Sequence, residues 1–274
     1  MLLITRSLVI AGTLAVPAIA FSQVLETETA RLPSRGHGEV SAGYEFQTSR
    51  EGTESALPLT FNFGLLDRLE IAVEPVVHTR IRPNAGRRTS GFGDTEVTLT
   101  GLVFEESGYL PAIAIAGEIK FPTANDALIG TGEYDYTGYL IASKRFGRFD
   151  THANIGYQVT GSPEGVNTRN VWNFATAVRY HITPRVDVYA EVLGHTSPLG
   201  GGELADGVGS VVAAAAESDG GDGFSAGSAE LSGSELVGTI GAGWYIRPNA
   251  FLSLGVSYDN SSALLIHPDL TITW

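Results

Sequence analysis

The sequence has 274 residues, no cysteine and a formal net charge of −13, because 30 acidic residues outnumber 17 lysines and arginines. A negative charge of this size argues against a nucleic-acid partner, whose phosphates the chain would repel. Without cysteine, the fold cannot depend on disulfides, so buried apolar surface or contact with lipid must stabilise it.

Residues 1–20 have the pattern of a secretory signal peptide. One positive charge, Arg6, precedes an apolar run that ends in the small residues Ala18 and Ala20, which suits a signal peptidase. The run is too short to cross a bilayer as a helix. We therefore predict a cleaved signal peptide over 1–20 and a mature chain outside the cytoplasm.

The next segment, 21–37, is polar and contains Pro33 and Gly36. It is predicted to be either an unstructured lead-in or a segment that folds into a lumen. After residue 37, no apolar run approaches the length of a spanning helix. If the chain lies in a membrane, a closed barrel is the remaining solution, because backbone groups in hydrocarbon must be paired within the protein.

Residues 38–274 alternate apolar and polar side chains with a period of two, which predicts an all-β fold. We predict about twelve strands in an antiparallel up-and-down transmembrane β-barrel. In chain order the predicted strands are 39–48, 56–65, 69–80, 95–104, 112–121, 134–146, 151–160, 172–181, 186–192, 235–245, 251–259 and 264–274.

The most regular element is the hairpin made by 95–104 and 112–121. One face of each arm is bulky and apolar, as at Ile115, whereas the other carries charged or small residues, as at Ala114 and Glu118. Each arm has about ten residues, enough to cross a hydrocarbon core when tilted by about 45°. The hairpin alone leaves open whether the apolar face meets a protein core or lipid.

Glu70 and Glu74 favour the alternative in which the apolar faces meet lipid and the polar faces meet water. Two glutamates on one strand face are hard to bury in a dry core and easy to accommodate around water. The polar faces are therefore predicted to line a lumen, although the facing of 134–146 cannot be assigned. The pore-lining candidates are Glu70, Glu74, His78, Glu96, Glu118, Lys120, His152, Asn154, Gln158, Arg179, His181, Asp187 and Glu191.

The lumen has two interpretations. Its acidic excess is typical of a conduit that favours cations or neutral polar solutes, but the same residues are also typical of ion pairs that fill and brace a barrel. About twelve strands leave a narrow lumen that is easily plugged. Small inward residues favour open space, namely Ala112, Ala114, Ser253, Gly255, Ser257 and Thr271.

The connections between strands alternate in length. Short turns alternate with longer loops, the longest of them about 199–234 and rich in Gly, Ala, Ser and acidic residues. Short periplasmic turns and long outer loops, with an even strand number, are typical of outer-membrane barrels and place both termini in the periplasm. We therefore predict a bacterial outer-membrane location, with membrane lipid as a partner, and a mobile acidic loop.

Aromatic residues near strand ends predict interfacial girdles. They are Phe104, Tyr109, Phe121, Tyr180, Trp244, Tyr245, Phe251 and Tyr258. The terminal Trp274 shares the apolar face of its strand and resembles the C-terminal signal of outer-membrane barrels. This resemblance implies the barrel-assembly machinery as a partner.

Three patterns relate to chemistry. A histidine beside a serine could form a hydrolytic pair, but no nucleophile motif accompanies His78, His152 or His181. Asp219–Gly223 could contribute calcium ligands but lacks a completing ligand, and Gly130-Thr-Gly132 lacks the rest of a phosphate loop. We therefore predict no enzymatic activity, no cofactor and no metal.

Short motifs resemble the outer-membrane barrel family labelled MetA-pathway of phenol degradation. They are Gly91-Phe-Gly-Asp94, Lys120-Phe-Pro-Thr123, Gly130-Thr-Gly132, Ser143-Lys-Arg-Phe-Gly147, Asn154-Ile-Gly-Tyr157, Glu191-Val-Leu-Gly-His-Thr196 and Val256-Ser-Tyr-Asp259. The resemblance implies a transporter that helps small, often aromatic, compounds cross the outer membrane.

The resulting prediction is a monomeric outer-membrane channel for passive uptake of small molecules, aromatic or hydrophobic solutes among them. One alternative is a structural or surface-displayed barrel whose long acidic loop is an interaction element. A lesser alternative is an outer-membrane lipid hydrolase.

Overall fold

The computed structural model describes residues 27–198 and 234–274. The predicted signal peptide over 1–20, nearly all of the 199–234 loop and Asp219–Gly223 lie outside these residues. Within the described ranges, no helix has the length and apolar character needed to cross a bilayer.

The described chain forms fourteen strand segments in one antiparallel sheet. They are β1 (Gly38–Gly43), β2 (Glu45–Thr48), β3 (Gly52–Leu66), β4 (Leu69–Pro83), β5 (Thr89–Gly91), β6 (Thr95–Phe104), β7 (Ala112–Phe121), β8 (Asp135–Phe146), β9 (Phe149–Val159), β10 (Val171–Thr183), β11 (Val186–His195), β12 (Glu235–Arg247), β13 (Ala250–Asp259) and β14 (Leu264–Thr273). Two consecutive pairs, β1 with β2 and β5 with β6, are halves of single barrel strands, so the barrel has twelve strands.

The sheet closes on itself between its first and last strands. Glu39 lies opposite Thr273 in the β1–β14 pair. The backbone N–H of Trp274 donates to the carbonyl of Gly38 at 3.0 Å, and the N–H of Gly38 donates back at 3.2 Å. Closure removes the unpaired edge that an open sheet would present. The prediction of a twelve-stranded antiparallel barrel is confirmed.

Bulky apolar side chains cover the outside of the barrel. Ile115 is 56% exposed and Ile240 is 68% exposed, whereas the intervening polar residues, such as Thr98 and Thr239, are buried. In a soluble sandwich the apolar face would be the buried one. The observed inversion is that of a barrel surrounded by lipid.

Strand β8 has a clear facing in the structure, although its sequence pattern is irregular. Asp135, Thr137 and Ser143 are buried inside the barrel, and Tyr136 and Leu140 are exposed outside. The pattern is irregular because inward positions also hold bulky Tyr139 and Ile141. The Tyr139 ring lies over Gly156, where an added Cβ would come within 2.6 Å of it, and Ile141 packs among inward alanines.

A β-bulge changes the facing of strand β4. The register with β3 pairs Pro58 with Val76 but Leu57 with His78, so Val77 is an extra residue. A bulge shifts the alternation that follows it. Thr79 is consequently buried inside, and the prediction that His78 lines the lumen is wrong, because this residue lies beside the outward Leu57.

Two of the predicted girdle residues also face inward. Phe251 is 2% exposed and packs against Tyr245 and Tyr189. Neighbouring residues on a strand point to opposite sides, so Trp244 and Tyr245 cannot both face lipid, and the structure turns Trp244 outward. Gly243 makes room for the Phe251 ring, which would lie 2.0 Å from an added Cβ.

The outward apolar belt predicts a depth-dependent response to charge. Ile115→Arg should reduce the free energy of unfolding by about 2–4 kcal/mol, because this position lies well inside the belt. Thr48→Arg, at the outer end of β2, is the control and should cost about 0–1 kcal/mol. Urea titration of the chain folded in lipid bilayers measures both values, and equal costs would contradict the lipid-facing assignment.

Candidate functional site in the barrel lumen

The inward faces of the strands bring the remaining pore-lining candidates around a common interior. They are Glu70 and Glu74 on β4, Glu96 on β6, Glu118 and Lys120 on β7, His152, Asn154 and Gln158 on β9, Arg179 and His181 on β10, and Asp187 and Glu191 on β11. His78 is the exception described above.

One wall of the lumen is acidic. Glu74 lies opposite Glu96 in the β4–β6 pair. Thr60 Oγ1 donates to Glu74 at 3.3 Å, and Thr98 Oγ1 donates to Glu118 at 3.4 Å. Carboxylates grouped on neighbouring strands make this wall attractive to cations and repulsive to anions.

Lys120 anchors the loop that follows β7. Its Nζ lies 2.9 Å from Asp135 and 3.6 Å from Asp94, and all three side chains are almost fully buried. Asp94 accepts a hydrogen bond from the backbone N–H of Ala124 at 2.8 Å. Because these charges are desolvated together, they hold the 122–134 loop at the outer end of the barrel.

An aromatic cluster lies on the opposite wall, at the short-turn end that is the periplasmic end in such barrels. Tyr189, Tyr245 and Phe251 pack together, and the guanidinium carbon of Arg179 lies 5.4 Å from the centroid of the Phe251 ring. The hydroxyls of Tyr189 and Tyr245 are buried and have no hydrogen-bond partner among the described residues.

The polar N-terminal segment enters the barrel. The backbone N–H of Thr27 donates to Glu191 at 2.7 Å, and Asn154 Nδ2 donates to the carbonyl of Glu28 at 3.1 Å. Of the two conformations that the sequence left open for 21–37, the described part, 27–37, therefore adopts the one inside the lumen.

Arg31 fixes this segment by charge. Its guanidinium donates to Asp150 at 3.0 Å and to Glu106 at 2.6 Å. Glu106 also accepts from Lys144 Nζ at 2.8 Å, and Asp150 from Arg145 at 2.6 Å. Charge-assisted hydrogen bonds of this kind are the stronger ones in proteins, so Arg31 is the main attachment of the segment.

The space beside the inward alanines of β7 is filled. Ala30 packs against Ala112, Ala114 and Ile141, and Ala114 has no exposed surface. The interpretation of Ala112 and Ala114 as open space is therefore wrong, because small residues on the wall accommodate the N-terminal segment. A large side chain at Ala114 would meet this segment rather than water.

At the periplasmic rim the segment lies directly against the backbone of β3. The N–H of Gly36 donates to the carbonyl of Gly64 at 2.9 Å, and the N–H of Gly64 donates to the carbonyl of His37 at 3.0 Å. An added Cβ at Gly64 would lie 2.3 Å from the Ser34 carbonyl oxygen. Only glycine allows this approach, so the wall is built to receive the segment.

The structure also places a serine beside a histidine. Ser143 Oγ lies 2.8 Å from His152 Nδ1, and His152 Nε2 lies 3.9 Å from Asp150. Ser143 is fully enclosed and accepts the backbone N–H of Ala30 at 2.9 Å. Because Asp150 is also held by Arg31, these residues attach the N-terminal segment instead of presenting a nucleophile to a substrate.

Several important residues were absent from the candidates, including Arg31, Asp94, Asp135, Ser143 and Asp150. Asp135 and Ser143 lie on β8, whose facing the sequence did not settle. Arg31 lies before the first strand, where alternation carries no information. The available signal was the presence of arginines in a polar segment, together with an excess of acidic residues on the predicted inner faces.

The attachment of the segment should depend on pH. Burial disfavours the ionised Glu106, but hydrogen bonds from Lys144, Arg31 and the backbone of Arg145 outweigh it and lower the pKa of Glu106 to about 2 from its ordinary value of 4.5. Because the pKa of Glu106 is lowered only while the segment is attached, ionised Glu106 stabilises the attached state fully above pH 4.5. This contribution is lost as the pH falls through about 2.

We therefore expect the ionic conductance of the chain in planar bilayers to rise as the pH is lowered from 4.5 towards 2, because protonated Glu106 no longer holds Arg31. Glu106→Gln removes this titration, so its conductance should already be raised at neutral pH and should change less over the same interval. An identical pH profile in both proteins would contradict the assigned role of Glu106.

Comparisons with known proteins agree with this architecture. The sequence model of the family described as "Putative MetA-pathway of phenol degradation" matches residues 26–261. An outer membrane channel from Pseudomonas putida F1 is similar in structure, with a TM-score of 0.65 and 11% identity over 89% of this chain and 97% of that one.

Two porins are also similar. The KdgM porin, solved in complex with disordered oligogalacturonate, has a TM-score of 0.53 and 9% identity, over 86% of this chain and 99% of that one. The NanC porin has a TM-score of 0.54 and 11% identity, over 86% of this chain and 98% of that one. At these identities the likeness concerns the fold. A comparison with curated protein sequences finds no match.

Proposed function

The chain belongs to the MetA-pathway of phenol degradation family, and we propose that it is an outer-membrane channel for passive uptake of small molecules, aromatic or hydrophobic solutes among them. The observation that supports this most is the inner surface. A closed barrel surrounds ionised and hydroxylated side chains, which favour a path for solutes over a dry core.

The N-terminal segment gives the proposed channel a closed state. Residues 27–37 lie between the acidic wall and β9, and Arg31 secures them by ion pairs. An apolar plug would need a broad matching core, whereas here the apolar contact is limited to Ala30 and its neighbours on β7 and β8. The ion pairs of Arg31 and a small number of hydrogen bonds, such as those of Ala30 with Ser143 and of Gly36 with Gly64, can break without unfolding of the barrel.

The aromatic cluster supports small aromatic or hydroxylated solutes as cargo. Tyr189, Tyr245 and Phe251 pack their rings together on the inner wall, where Tyr189 and Phe251 are almost fully buried. A solute that enters this cluster would meet the hydroxyls of Tyr189 and Tyr245, which have no hydrogen-bond partner among the described residues, and rings that bind aromatic molecules by edge or stacking contacts.

The flux of solutes into liposomes tests the proposal. Arg31→Gln removes both ion pairs of the segment, so we expect a several-fold increase in the influx of small solutes that cross lipid only slowly, such as arabinose and the aromatic glycoside phenyl glucoside. Arg68→Gln is the matched control, because it breaks the exposed pair with Glu105 at the same end of the barrel. Its flux should equal that of the unchanged protein.

The rival functions give different outcomes. A purely structural or surface-displayed barrel would admit no solute in any variant, and that result would overturn the channel proposal. A lipid hydrolase would release fatty acid from the liposomes and lose this activity in Ser143→Ala, whereas a channel releases none.

A further inference from the structure

The outer end of the barrel carries an unusual group of arginines on its lipid side. We define the basic patch as Arg50, Arg80, Arg82 and Arg88, all of which are exposed. Arg80 and Arg82 are two residues apart on β4 and share one face. Arg50 precedes the start of β3, and Arg88 directly precedes β5, so the patch spans the outer ends of three adjacent strand segments.

The bulge in β4 creates this patch. Before Val77, inward positions of the strand include Ala72 and Val76, and after it they include Thr79 and Ile81, which are also buried. Without the extra residue, Arg80 and Arg82 would point into the lumen. Bulges commonly re-aim side chains in this way, and here the effect is to place two cations on the outer surface.

The patch begins where the apolar belt ends. His78 still lies opposite an apolar residue, Leu57. Further towards the outer end the partners become polar, since Arg80 lies between Ser55 and Ser90. Arg82 lies opposite Thr53. Arg80 and Arg82 therefore lie at the level of lipid head groups. A cation costs little at this depth, in contrast to the midplane.

The arginines of the patch have no acidic partners among residues 27–198 and 234–274. This is notable in a chain with a net charge of −13, where Arg31, Arg68, Arg87 and Arg145 are all ion-paired. Of the two acids at the outer end of β3, Glu54 is buried inside and Glu51, which follows Arg50, is half-buried. The strand thus turns Glu54 inward, whereas the arginines of β4 point outward.

We propose that the basic patch binds phosphate groups of lipopolysaccharide, the lipid of the outer leaflet. Guanidinium groups pair with phosphates through two parallel hydrogen bonds, and cations near a membrane surface attract anionic lipid. The acyl chains of the same lipid cover the apolar belt below, beside Leu57. This interaction is independent of the solute that the lumen carries.

Native mass spectrometry of the detergent-purified full chain with lipid A that bears two phosphates tests the proposal. Arg80→Gln with Arg82→Gln should weaken binding by about twenty-five-fold, since each cation near a membrane surface contributes roughly a fivefold factor. Arg185→Gln with Arg247→Gln is the matched control, because both arginines are exposed at the opposite end, and it should bind as the unchanged protein does.

Two further ligands show whether binding depends on the phosphate groups of the lipid, on its acyl chains or on phosphate alone. Fully dephosphorylated lipid A should bind the unchanged protein no better than it binds the Arg80 and Arg82 double variant. Inorganic phosphate at millimolar concentration should leave bound lipid A in place, because it lacks acyl chains. Equal binding by the double variant and its control would overturn the proposal, and so would displacement by inorganic phosphate or equal binding of the dephosphorylated lipid.

Discussion

The structure depends on one constraint, that backbone N–H and C=O groups within hydrocarbon must bond to one another because lipid offers no partner. The pairing of Gly38 with Trp274 satisfies it by joining the ends of the sheet. Once the sheet is closed, each strand has one face towards lipid and one towards the interior. The alternation of Ile115 with Ala114 and Ala116, or of Ile240 with Thr239, follows from that closure.

The interior poses a second problem, because the inward faces hold more carboxylates than cations. The N-terminal segment reduces the imbalance with Arg31, which bonds to Asp150 and Glu106. It also brings Glu28 within electrostatic range of Glu70, Glu74 and Glu118. The segment is therefore attached by charge at Arg31 and by hydrogen bonds at its inner end, where Thr27 bonds to Glu191 and Glu28 to Asn154.

Strand alternation was enough to predict the barrel, its strand count and most of the facing, because the lipid side admits only apolar residues over the full height of the belt. Strand alternation gave the wrong facing, or none, where a β-bulge or bulky inward residues interrupted the two-residue period of apolar and polar side chains. The bulge at Val77 moved His78 outside, and Tyr139 and Ile141 made β8 irregular by filling space over Gly156 and beside Ala30. These changes depend on neighbouring strands, which the sequence of a single strand does not reveal.

The position of residues 27–37 was beyond sequence reasoning for a different reason. A segment without regular structure has no periodicity, and its bonds to Ser143, Asp150 and Glu191 join residues far apart in the chain. The alanines on β7 were recognised as small and inward, but a small residue next to water and a small residue under another segment have the same pattern. Only the arrangement in space distinguishes them.

The most direct test of the account is spin-label accessibility at adjacent positions of β9 in a lipid bilayer. The chain has no cysteine, so Tyr157→Cys and Gln158→Cys each give a single labelling site. A label at 157 should collide with oxygen dissolved in the lipid, and a label at 158 should be shielded from it and sense the aqueous interior. The reverse order, with oxygen reaching 158 in preference to 157, would contradict the outward placement of the apolar faces.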